Sequence, residues 1–152
     1  MAVGINLSLG QVGRLIDKFH ELFSELKNWQ DEVPIKAKEN GYVGTALGRR
    51  RYLEKILGEE RIDNQIRNFP IQGTASDGFK TALCQLDRKF LELGLDAHIV
   101  LTVHDEILVE VKEDKIEEVQ AVIEDCLKNA FKELVPGMPF ELDMKIANSW
   151  GN

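Results

Sequence analysis

Two β-branched runs, Ile99 to Val103 and Ile107 to Val111, are separated only by His104-Asp105-Glu106. That is the pattern of two antiparallel strands joined by a tight turn, since Val and Ile favour a pleated, half-buried backbone and the polar triplet does not. The triplet therefore falls at or beside a hairpin tip. Any chemistry it carries would be held in place by a strand on either side.

Around this hairpin the apolar pattern is helical. From Ser8 to Lys27, Val12, Leu15, Ile16, Phe19, Leu22, Phe23 and Leu26 recur at spacings of three and four, and Ser8 with Gln11 makes a capping box. A more polar helix is expected from Asp31 to Glu39, kinked or restarted by Pro34 and ended at Asn40-Gly41, residues that tolerate a left-handed cap. Tyr42 to Leu53 reads as an extended excursion that turns at Leu47-Gly48 and carries Arg49, Arg50 and Arg51. A polar connector, Gly58 to Asn64, leads to Arg67–Gly73, where Pro70 and Gly73 punctuate, and a helix is expected from about Thr74. Its apolar face is Phe79, Leu83, Leu86, Phe90 and Leu93. Beyond the hairpin, Ile116, Val119, Val122, Ile123, Cys126, Leu127, Ala130 and Phe131 form one side of a long helix that Pro136-Gly137 breaks, and Phe140 to Ile146 alternates as a last strand. Helices and strands are segregated rather than alternating. The expected class is α+β, a small antiparallel sheet (the hairpin plus the C-terminal strand) backed by amphipathic helices.

A chain of 152 residues, 43% hydrophobic and 30% charged, suffices for one compact domain with a core. Its net charge of -7 argues against binding nucleic acid by bulk electrostatics, but the charge is uneven. Residues 36–67 hold eight Lys or Arg against five acids, whereas residues 92–128 hold three against eleven. Cys84 and Cys126 both sit in runs that read as apolar helix faces, with no CxxC pair, which excludes an obvious zinc site and suits a reduced, cytoplasmic protein. No apolar run approaches the ~20 residues needed to span a bilayer, and the N-terminus shows no charged segment followed by an apolar one. No membrane association is expected.

Adjacent carboxylates at a strand turn, Asp105 and Glu106, are positioned for a hard cation. Magnesium takes oxygen ligands and typically uses one or two carboxylates together with substrate phosphates, as phosphoryl transfer requires. A solvated turn would show the same residues, because turns favour Asp, so spacing alone leaves both readings open. Other patterns carry less. His104-Asp105 is similar to the metal-binding pair of HD phosphohydrolases, which need further histidines, and only His20 and His98 remain. Gly10 and Gly13 follow no strand and form no phosphate-binding fingerprint. Asp143, on the expected last strand, reads as a solvent-facing acid.

Taken together, Gly41-Tyr42-Val43 with Thr45 and Gly48-Arg49-Arg50-Arg51-Tyr52-Leu53, then Asn68-Phe69-Pro70-Ile71-Gln72-Gly73-Thr74-Ala75-Ser76-Asp77, then Val103-His104-Asp105-Glu106, and Trp150 resemble the C-terminal region of family A DNA polymerases in the same order. The resemblance covers nearly the whole chain. His-Asp-Glu alone is a weak signal, but its combination with the Pro-Ile-Gln-Gly-Thr-Ala segment upstream is specific. The resemblance implies that Asp105 is a ligand of catalytic Mg2+, that Glu106 supports that metal, and that His104 lies by the primer terminus. It also implies that Asn68 and Gln72 touch template or primer near the minor groove, and that Arg49, Arg50 and Arg51 meet duplex phosphates.

The same resemblance implies that other elements lie elsewhere. A second palm aspartate and the fingers helix that holds the incoming nucleotide are not in this sequence, and Ala2 to Leu9 aligns just after that helix. Residues 1–152 are thus expected to be a single C-terminal polymerase segment, with about 1–41 as helices following the fingers motif and 42–152 palm-like. Its expected partners are primer-template DNA, a deoxynucleoside triphosphate bound by the complete enzyme, and an N-terminal polymerase chain, in a bacterial or phage-infected cell. A catalytically inactive remnant that binds DNA or a replication partner is the rival. The connector between Leu53 and Asn68 is shorter than in bacterial members, and Asn64 stands where many carry an arginine, with Arg67 close by as a substitute.

Overall fold

A computed structural model describes residues 7–55 and 62–150. The Gly58 to Asn64 connector and the Ala2 to Leu9 alignment therefore lie partly outside the described residues. The chain divides into two compact units, Met1–Val43 with Arg50–Phe69, and Gly44–Arg49 with Pro70–Asn152.

In the first unit, α1 (Leu9–Leu22) begins at the expected capping box. The Gln11 N–H donates to the Ser8 hydroxyl at 3.4 Å, and the Ser8 N–H donates to the Gln11 side chain at 2.8 Å. The helix does not run to Lys27 as expected. Phe23, at φ -115° and ψ 55°, interrupts it, and α2 (Ser24–Asn40) starts at the next residue. Apolar spacing misses this break because the three-and-four rhythm continues across one non-helical residue. Pro34 lies inside α2, which does not restart there, and Gly41 ends the helix at φ 75°, as expected.

A proline inside a helix leaves the carbonyl four residues earlier without its N–H donor. Here that carbonyl belongs to Gln30, and the Arg67 Nε–H donates to it at 2.7 Å. The two short strands, β1 (Tyr42–Gly44) and β2 (Arg50–Tyr52), pair in a hairpin whose turn includes Gly48 at φ 84°. Ala37, Val43, Leu53 and the fully buried Ile66 form this unit's core, with Val33, Ile62 and Phe69 around them.

Ile66 belongs to α3 (Ile62–Leu93), a helix of 32 residues, not one starting near Thr74. Pro70 and Gly73 were expected to mark a boundary, and α3 passes through both. An interior proline costs a helix about 3 kcal/mol, which packing on either side of it can offset. Ile66 and Phe69 pack before Pro70, and Ala82, Leu86 and Phe90 are buried after it.

In the second unit, β3 (Ala97–Val103) and β4 (Glu106–Val111) pair antiparallel, with a register shift between Ile99 and Leu101. Ile99, Val109 and Val111 pack against a core of Leu86, Phe90, Ala97, Val119 and Cys126, the last two from α4 (Ile116–Leu134). A second cluster joins Ala82 of α3 to Leu127 and Ala130 of α4. Gly78 permits this approach, because a Cβ there would lie 2.9 Å from the Phe131 ring and 3.1 Å from Leu134.

The expected C-terminal strand is absent among the described residues, so each sheet has only two strands. Phe140 and Leu142 still alternate inward onto the second cluster, and Phe140 stacks on Phe131 at 4.4 Å. Alternation reported which side chains face the helices. It could not report whether a neighbouring strand offers backbone partners. Cys126 is buried as expected, whereas Cys84 is exposed rather than on the packed face of α3.

Candidate catalytic turn and nucleic-acid interface

Val103 pairs with Glu106, which leaves His104 and Asp105 as a two-residue loop. His104 adopts φ 54° and is alone among the described non-glycine residues in having a positive φ. Histidine is one of the residue types enriched in this region, yet a left-handed residue still costs roughly 1–2 kcal/mol, and such strain gathers at functional sites. Glu106 opens β4. Strand alternation places Glu106, Leu108 and Glu110 on the face opposite Ile107, Val109 and Val111, which pack on the helices. His104, Asp105 and Glu106 are all exposed.

The hairpin tip thus carries exposed carboxylates on two consecutive residues, Asp105 in the loop and Glu106 at the start of β4. Among the described residues no group of three or more His, Cys, Asp or Glu gathers to hold a metal. Glu110 shares a face with Glu106 but lies roughly 13 Å along the strand and pairs with His98 across the hairpin.

Arg49 is built into its surroundings. Its guanidinium donates to Asp77 at 2.9 Å and to the Gly73 carbonyl at 2.9 Å, while Asp77 also accepts from the Thr45 hydroxyl at 2.6 Å. The Arg49 N–H donates to Thr45 Oγ1 at 3.2 Å, and the Ala46 N–H donates to Thr74 Oγ1 at 3.0 Å. Four of these hydrogen bonds pin the 44–49 turn to the Gly73–Asp77 turn of α3, and the fifth closes the 44–49 turn on itself. Thr45 and Asp77 are nearly buried. Gln72, one residue before this clamp, is exposed and makes no hydrogen bond through its side chain to the described residues.

In the first unit Arg67 is committed to the Gln30 carbonyl, and Arg51 donates to the Gln65 side chain at 2.7 Å. Arg50 and Asn68 are exposed, and Arg50 stacks over the Tyr42 ring at 4.4 Å. Lys38 pairs with Asp63 at 2.8 Å, and that hydrogen bond holds the Asp63 carboxyl below its ordinary range. In the second unit Lys112 first, and then His98, lower Asp96 in the same way.

Sequence reading therefore named the arginines but not what restrains them. Asp77 is 28 positions from Arg49 and Gln30 is 37 from Arg67, and no local pattern links either pair.

Across residues 1–152 the chain matches the model of DNA polymerase family A. It is 35% identical to DNA polymerase I of Aquifex aeolicus over 152 residues, covering 99% of this chain and 25% of that protein. With the DNA polymerase theta of Caenorhabditis elegans it shares 34% over 149 residues, 96% of this chain and 9% of the relative. The solved polymerase domain of Pol1 from M. smegmatis, in complex with DNA primer-template and dNTP, superposes with a TM-score of 0.75 at 31% identity, over 82% of this chain and 23% of that one. The chain thus spans a quarter or less of each of these proteins.

Proposed function

The chain belongs to DNA polymerase family A, and from that premise we propose that it supplies one metal-binding turn and part of the DNA-binding wall of a DNA-directed DNA polymerase. The rest of the active site comes from polymerase sequence outside these residues. On this reading residues 1–41 follow the fingers motif and 42–152 are palm-like, working on primer-template DNA and deoxynucleoside triphosphates in the cytoplasm. Among the described residues no helix is long and apolar enough to cross a membrane.

The observation that carries the reading is the His104-Asp105-Glu106 turn, exposed at the tip of a paired hairpin with His104 held left-handed. Two adjacent carboxylates fit the donor set of Mg2+, which combines few protein oxygens with water and substrate phosphates. Asp105 and Glu106 would hold the ion, which when bound supplies charge neutralisation for the attacking primer hydroxyl and the departing pyrophosphate. Asp105 lies exposed in the loop beyond the Val103–Glu106 pair, where a nucleotide's phosphates would have access. His104 borders the primer terminus. Asn68 and Gln72, exposed and one turn apart on α3, donate their amide N–H groups to the acceptors every base pair displays in the minor groove. Arg50 meets backbone phosphate, while Arg49, Arg51 and Arg67 contribute their charge from internally bonded positions.

Support for a further polymerase segment comes from α1. Leu15, Ile16, Phe19 and Phe23 are each about half exposed, and α1 buries no residue of its own. An amphipathic helix of a folded domain covers its apolar stripe, and an exposed patch of this kind marks an interface. The occupant we assign is the remaining three quarters of the polymerase domain.

The test is a chimera in which these 152 residues replace the matching segment of Aquifex aeolicus DNA polymerase I. Templated, Mg2+-dependent primer extension is the expected result. A chimera that folds and binds primer-template but never extends it would overturn the reading in favour of a non-catalytic DNA-binding remnant.

A further inference from the structure

Within the first unit the β1–β2 hairpin has two chemically different faces. Val43, 6% exposed, packs into the core with Ile66, and Arg51 turns toward α3 to bond Gln65. Strand alternation sends Tyr42, Arg50 and Tyr52 to the other side. There the Arg50 guanidinium lies 4.4 Å from the Tyr42 ring centroid, and the Tyr42 and Tyr52 rings stand 6.0 Å apart, tilted by 59°. Tyr52 is half exposed. The Leu53 N–H donates to the Gly41 carbonyl at 3.0 Å and closes the hairpin behind the two rings.

We infer that Tyr42, Arg50 and Tyr52 form a stacking platform for an unpaired base of single-stranded nucleic acid. Aromatic rings on a strand face, interleaved with guanidinium, are how sheets take up single strands. The bases stack while the cation meets the phosphates, with little preference for sequence. The location agrees: residues 36–67 carry a net positive charge in a chain whose total is -7. Arg50 lies over the Tyr42 ring in a cation–π contact, which biases its planar group toward that pose before any ligand arrives. Groups already in mutual contact lose less conformational entropy on binding than ones that must first be gathered. Cross-strand tyrosines also stabilise a small hairpin, but that role needs only the contact between the rings and not the half-exposed face of Tyr52. The inference rests on the nucleic-acid reading of the chain and not on its catalytic half.

The test is fluorescence anisotropy of the full 152-residue chain with a labelled oligo-dT, and with the same backbone carrying abasic sites, at low salt. The wild-type chain should bind oligo-dT more tightly than the abasic strand. Tyr52→Ala should weaken oligo-dT binding about tenfold, the weight of one base–aromatic stack, while Tyr52→Phe retains most of it. On the abasic strand Tyr52→Ala should change nothing, whereas Arg50→Ala should weaken both strands, and by less as salt rises. Equal losses on both strands for Tyr52→Ala would show a structural role and overturn the platform, as would no oligo-dT binding by a folded wild-type chain. Primer extension by the chimera would survive either failure, so the two readings stand or fall separately.

Discussion

Arg67 donates its Nε–H to the carbonyl of Gln30, the acceptor that Pro34 leaves without its helical donor. One guanidinium thereby repairs α2 from α3, across 37 positions of sequence. Arg67→Met keeps much of the aliphatic stem and removes the donor, so a part-buried carbonyl is left unsatisfied. We expect a loss of about 1–2 kcal/mol in urea unfolding. Combining Arg67→Met with Pro34→Ala, which restores the N–H, should recover part of it. If the double variant were as unstable as the sum of the single losses, the repair would not exist.

Gly78 tests how tightly α3 and α4 pack. Alanine improves helix propensity by up to about 1 kcal/mol at a glycine. Here its methyl would press on the Phe131 ring, which the Phe140 stack holds in place. Gly78→Ala should therefore destabilise the chain by about 1–2 kcal/mol in thermal or urea unfolding. A stabilised variant would mean that the helices part easily.

The two thiols should behave differently. Cys126 is buried, and burial raises its pKa by disfavouring the thiolate, so near neutral pH it stays protonated and shielded. Cys84 is exposed. A thiol reagent at pH 8 should modify one cysteine quickly in the native chain and the second only in denaturant. Rapid reaction of both would show that the Cys126 core opens on the time scale of the assay.

The stripe on α1 predicts a separation of stability from function. Leu15 and Phe19 are about half exposed, so changing both to Ser should shift the unfolding free energy of the isolated chain by no more than about 1 kcal/mol. In the chimera the same pair should lower the melting temperature or abolish extension, because there the stripe is covered. An unaffected chimera would leave α1 without its assigned occupant.

How much of this could be read from the residues differs from element to element. The hairpin was legible, because β-branched runs around a polar triplet allow little else, and so were the Ser8 capping box and the left-handed Gly41. Helix extent was not. Pro70 is a strong local signal of a boundary, yet packing of Ile66 before it and Leu86 after it carries α3 through. The absent last strand has the converse cause: Phe140 and Leu142 follow the right period, but a strand also needs a ladder partner, which side-chain pattern does not encode. At the candidate site the carboxylates were named from sequence, while the Asp77 clamp on Arg49 and the Gln30 tie on Arg67 arise only when distant turns of the chain meet.

Asp105 is the residue on which the catalytic reading depends. In the chimeric polymerase, single-turnover primer extension should fall by on the order of 10³-fold with Asp105→Asn, as expected if several kcal/mol of transition-state charge stabilisation is lost at tenfold per 1.36 kcal/mol. Primer-template affinity should hardly change, and Glu110→Gln, on the same hairpin, should leave the rate nearly intact. An Asp105→Asn rate within tenfold of the parent chimera would contradict the account.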